Sequence, residues 1–112
     1  MKKYMIFLKE DLQLVKNMSQ EQLQEDIKQF TQWVEKLAKT GNYVSGDPLE
    51  TSGWLIKKDE ILTDGPFIES KEAIGGYFII QAENAQKAIE IAQSCPIFTQ
   101  GGYLELRPIM MY

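Results

Sequence analysis

The chain has 112 residues, 44% apolar and 25% charged, with 16 acidic against 12 basic side chains and a net charge of −4. That size and mix suit a single globular domain over residues 1–112. The acidic balance, with no basic run interleaved with aromatics, argues against a nucleic-acid partner, whose binding rests on Lys and Arg neutralising phosphates.

Cys95 is the one cysteine, so no internal disulfide forms and a reducing compartment is expected. The apolar stretch Tyr4 to Leu8 ends at Lys9-Glu10-Asp11, too short for a signal peptide or for the roughly 20 apolar residues of a membrane span. A cytoplasmic protein with no membrane partner is the expectation.

Tyr4-Met5-Ile6-Phe7-Leu8 predicts a strand buried on both faces, followed by a polar link. Ser19 and Gln22 have the spacing of a capping box. Leu23, Ile27, Phe30, Val34 and Leu37 then recur at helical spacing on one stripe of a helix of roughly twenty residues. Lys36 and Lys39 suit its negative end, and Gly41 its C′ position. Tyr43-Val44 gives a brief strand signal and Gly46-Asp47-Pro48 reads as a turn. Trp54-Leu55-Ile56 and Ile61-Leu62-Thr63 flank a charged turn and predict a short hairpin. Asp64-Gly65-Pro66 breaks the pattern. Gly75-Gly76 leads into Tyr77-Phe78-Ile79-Ile80, a second strand apolar on both faces. Asn84 caps a second helix carrying Ala85, Ala88, Ile89, Ala92 and Cys95, with Pro96 beyond its end. Tyr103 to Arg107 forms a last strand closed by Pro108.

The order β-α-β-hairpin-β-α-β matches an α+β, ferredoxin-like split βαβ plan with an inserted β-hairpin. Both helices then lie on one face of the sheet, yet two strands are apolar on both sides. At least four large apolar side chains are left on the uncovered face, at about 1.5–3 kcal/mol each. That sum approaches a domain's whole stability. A second copy of the sheet is the simplest cover, making a homodimer; the alternative is that the segment from Asp47 to Glu72 folds back over the face.

The run Thr63-Asp64-Gly65-Pro66-Phe67-Ile68-Glu69-Ser70-Lys71-Glu72, followed by Gly75-Gly76-Tyr77, resembles the signature of the YCII-related, or DGPF, family. The opening Lys3-Tyr4-Met5 and the close Leu104-Glu105-Leu106-Arg107-Pro108-Ile109 resemble that family's start and end. The resemblance implies a dimeric α/β barrel built from ferredoxin-like units, an architecture shared with small monooxygenases and lactone isomerases. One branch of the family is linked to activity through a His–Asp pair. This chain contains no histidine, so that pair does not carry over.

Asp64 is the leading candidate for chemistry. At a strand end beside Gly65 and Pro66, it reads either as a turn aspartate accepting backbone N–H groups or as a catalytic base in a partly apolar cleft. Phe67 belongs to the same motif. Glu69, Lys71 and Glu72 form a charged cluster that is either solvated surface or a holder for an anionic group, through Lys71. Gly75 and Gly76 serve backbone geometry in preference to a phosphate cradle. On the last strand Leu104 and Leu106 share one face and Tyr103, Glu105 and Arg107 the other. Arg107 then binds a carboxylate and Glu105 handles a proton in the dimer cleft, or the two form an ion pair. Tyr77 and Tyr103 either add hydroxyls to that cavity or pack in the core.

Cys95, Trp33 and Trp54 read as packing residues, with Trp54 also placed to line the cleft. No cofactor and no metal is expected, since only an oxygen set from Asp47, Asp64, Glu69 or Glu72 is available and Ca²⁺-loop spacing is missing. The ligand site therefore comprises Asp64, Gly65, Pro66, Phe67, Lys71, Tyr77, Glu105 and Arg107. Two activities fit it: a small-molecule-binding or regulatory module, or a cofactor-independent isomerase, lyase or monooxygenase-like enzyme using Asp64 or Glu105 as acid/base.

Overall fold

Alternation along the first strand organises the molecule. Tyr4, Ile6 and Leu8 are buried, while Met5, Phe7 and Lys9 between them are only partly covered. The computed structural model describes residues 1–62 and 72–111. In chain order these form β1 (Lys2–Asp11), α1 (Leu12–Lys16), α2 (Gln20–Lys39), β2 (Tyr43–Pro48), β3 (Leu55–Lys57), β4 (Glu60–Leu62), β5 (Glu72–Ala82), α3 (Ala85–Gln93), a 3₁₀ turn (Pro96–Gln100) and β6 (Tyr103–Pro108). β2, β5, β1 and β6 make one sheet in that order, every pair antiparallel, and among the described residues β3 and β4 form a separate two-stranded sheet. The result is an α+β fold whose strand order is compatible with the ferredoxin-like plan.

Every buried apolar side chain among the described residues belongs to one cluster on one face of this sheet. Tyr4, Ile6, Leu8, Phe78, Ile80 and Ala82 meet Trp33 and Leu37 of α2, Ala88 and Ala92 of α3, and Cys95 and Ile97 beyond α3. Phe78 is its centre: Phe30 stacks on it at 5.9 Å, Trp33 meets it edge-on at 5.2 Å and Tyr43 at 6.5 Å. The Trp33 indole N–H donates to Ser94 Oγ at 2.8 Å, tying α2 to the end of α3. Cys95 and Trp33 are packing residues, as their sequence positions predict.

The helix ends follow their sequence signals. Ser19 Oγ accepts from the Gln22 N–H at 3.1 Å and Asn84 Oδ1 from the Lys87 N–H at 2.9 Å. Gly41 takes φ of 77° just past α2, a left-handed angle at which side chains are strained.

Five expectations need correction. The capping box is half made, because the Gln22 amide donates to Asp26 Oδ1 at 2.8 Å instead of reaching back to Ser19. Leu23 and Ile27 are 47% and 56% exposed; α2 turns Asp26, Trp33 and Leu37 inward, and Ile27 lies about 100° round the helix from Asp26. The polar link after β1 holds the short helix α1, capped by Asp11 Oδ1 on the Gln13 N–H at 2.8 Å. Gly46-Asp47-Pro48 is strand, not turn: Gly46 lies opposite Phe78 and Asp47 opposite Tyr77. A Cβ at Gly46 would collide with the Phe78 ring, so only glycine lets β2 run beneath it. Trp54, finally, is 72% exposed and packs in no core.

Candidate functional site

The second face of the sheet is built by strand register. Phe7 lies opposite Tyr77 on one side and Glu105 on the other, and Tyr77 lies opposite Asp47. One row across the four strands therefore reads Asp47, Tyr77, Phe7, Glu105. The next row reads Ser45, Ile79, Met5, Arg107. Lys9, two residues beyond Phe7, shares this face because side chains alternate. Met5, Phe7, Tyr77 and Ile79 are partly buried but lie outside the core cluster, and among the described residues no buried side chain of any helix belongs to their side. The face has an apolar centre and two polar margins.

At the β2 margin the Tyr77 hydroxyl donates to Asp47 Oδ2 at 2.8 Å. That hydrogen bond, followed by the Asp47 charge, raises the phenol's pKa above 10.0. Tyr77 is therefore a fixed proton donor at neutral pH and not a base. At the β6 margin Glu105 lies between two cations, 4.0 Å from Lys9 Nζ and 3.6 Å from Arg107 Nη1. Both contacts are longer than a charge-assisted hydrogen bond of about 2.7–2.9 Å, and exposed pairs of this kind hold weakly. Two cations against one carboxylate leave a surplus positive charge, and Arg107, with its side chain 68% exposed, is free to exchange Glu105 for a carboxylate of another molecule.

Tyr77, Glu105 and Arg107 thus lie on one face. Asp64, Gly65, Pro66, Phe67 and Lys71 lie outside the described residues, as does Glu69. Sequence reasoning missed Lys9 and gave Asp47 no place here. The signal for Lys9 was present, since it continues the odd-numbered alternation of Met5 and Phe7. A sequence model of the YCII-related domain matches residues 2–111. This chain belongs to the YCII-related family. No curated protein matches it.

A second polar group in this YCII-related chain sits on the helix side of the sheet. β1 and β5 shift register between Leu8 and Lys9, leaving Gly75 as an extra residue. The Glu10 carboxylate occupies the space where a Cβ at Gly75 would stand. Burial, and then the neighbouring Asp26 charge, raise the Glu10 pKa above 4.5. Asp26 is buried and accepts from Gln22; its carbonyl accepts from Gln100 Nε2 at 3.3 Å, which also donates to Gln29 Oε1 at 3.1 Å. Burial lifts the Cys95 thiol to a pKa of about 11, so it stays protonated at neutral pH. Among the described residues, no group of three or more His, Cys, Asp or Glu side chains could hold a metal ion, and no helix is long and apolar enough to cross a membrane.

Proposed function

We propose that this YCII-related chain is a homodimeric small-molecule-binding or regulatory module whose ligand lies in a cleft on the open face of the sheet, where a second copy meets it. The observation that supports this reading is the layout of that face. Met5, Phe7 and Ile79 form an apolar floor, Lys9 and Arg107 give a cationic margin, and Tyr77 a fixed hydroxyl. A ligand with a flat apolar body and one carboxylate fits such a floor, with its charge at Arg107. Asp64, Gly65, Pro66, Phe67 and Lys71 complete the cleft in this reading, Lys71 as a second anion holder. Covering the floor with another sheet removes apolar surface from water, which stabilises the pair by about 25 cal/mol per Å².

Benzoate is a suitable probe. Calorimetric titration is expected to show saturable binding to the wild type and at least tenfold weaker binding to Arg107→Ala. Equal affinity in the two proteins would remove Arg107 from the site. The enzyme reading, with Asp64 or Glu105 as acid/base, predicts that Asp64→Asn or Glu105→Gln abolishes turnover while leaving binding intact. The binding module is preferred because the polar groups described on this face are already engaged: the Tyr77 proton with Asp47, and Glu105 between two cations.

A further inference from the structure

The β3–β4 hairpin turns its most apolar side outward. Ile56 and Ile61 are opposite one another and share one face; Leu55 and Leu62 share the other. Trp54 stands two residues before Ile56, just ahead of β3, and is exposed like the two isoleucines. Trp54, Ile56 and Ile61 are 72%, 69% and 62% exposed, against 38% and 36% for Leu55 and Leu62. A two-stranded hairpin is marginally stable in water by itself, and a contiguous exposed apolar surface of this kind marks a contact with another molecule.

Area decides the occupant. At about 4.8 Å between strands and about 3.3 Å per residue, β2 and β6 with six residues each, β1 with ten and β5 with eleven give the open sheet face on the order of 500 Å². A stable interface removes about 800 Å² from each partner. Two sheets meeting face to face therefore fall short by about a third, and the hairpin is the apolar surface at hand to supply the rest. In a two-fold pair each copy offers the other the same patch, so both arms are covered at once. The β6 margin suits an indole, because Arg107 is exposed and its planar guanidinium stacks on aromatic faces.

We propose that the β3–β4 hairpin is a dimer arm whose Trp54–Ile56–Ile61 side packs on the β6 margin of a second copy of this chain, placing Trp54 at the mouth of that copy's cleft. This rests on the reading of the open face as the meeting surface of two copies. Each ligand site is then composite, with the floor from one chain and the lip from the other.

Sedimentation equilibrium on the wild type and on the triple variant Trp54→Ser/Ile56→Thr/Ile61→Thr tests it. The wild type is expected to be a dimer at micromolar concentration. The variant is expected to dimerise at least 100-fold more weakly, with unchanged far-UV circular dichroism. A dimer of unaltered strength in the variant would overturn the arm and leave the face-to-face reading standing. A wild-type monomer would overturn both. Trp33→Phe offers a second measurement, since it leaves Trp54 as the sole indole. Its emission is expected to be blue-shifted in the dimer and to move red on dilution; water-exposed emission in an intact dimer would also sink the arm.

Discussion

The two faces of this sheet are written by the same residue types and have opposite fates. Ile6 is fully buried under α2 and α3, while Phe7, the next residue, stands among partly covered side chains outside the core those helices cover. Hydrophobicity alone does not separate them; the number of helices does. Two helices cover one layer, and the apolar content of the other face is what the proposed pairing of two copies would remove from water.

That contrast can be broken most forcefully by paired truncations. Ile6→Ala is expected to cost about 2–5 kcal/mol of folding stability in urea melts. Phe7→Ala is expected to cost under about 1 kcal/mol in dilute solution, with its loss appearing in dimerisation. Equal losses in dilute samples would mean that the second face is covered within the chain. Gly46→Ala sharpens the covered side: its methyl meets Phe78, the hub of the aromatic cluster, and overpacking of about 1–3 kcal/mol is expected.

Smaller effects come from ionisation. The pKa of Glu10 is raised in the fold by burial first and Asp26 second, so the native state keeps this proton at pH values where the unfolded chain has lost it. Its contribution is full below pH 4.5 and declines as pH rises through the folded value. Glu10→Gln is therefore expected to melt slightly above the wild type at pH 7 and level with it at pH 4. The smallest effect belongs to the open face. Tyr77, with its pKa held up by Asp47, stabilises fully below pH 10 and loses that contribution as pH rises further. Tyr77→Phe is expected to melt slightly below the wild type at pH 7, where that contribution is full, and to lack this alkaline loss in melting curves.

Much of the architecture was legible because it depends on local rules. Strand alternation, Ser19 and Asn84 at helix starts and Gly41 at a helix end are each set by a few neighbouring residues. What escaped depended on distant partners. Gly46 looked like a turn residue because a glycine in sequence does not show the Phe78 ring, thirty-two positions on, that requires it. Asp26 interrupts the Leu23–Ile27 stripe and turns α2 so that a carboxylate, not a leucine, faces inward. The face of Glu105 and Arg107 could be read from alternation in Tyr103 to Arg107. Lys9 continues the alternation of Met5 and Phe7, whereas Asp47 joins them only through strand register, which no single segment encodes.

The surplus residue at position 75 has a consequence for tolerance to length change. Because Leu8 lies opposite Gly76 and Lys9 opposite Ile74, removing one glycine from the pair keeps every remaining partnership with β1 and the side-chain directions that go with it. Loss of a residue anywhere from Tyr77 to Ala82 would instead invert the parity of part of the strand, exchanging greasy neighbours of α2 with lining of the open floor. The doublet is thus an expansion joint, the one place in this strand where the chain can shorten by a step without turning its surface inside out.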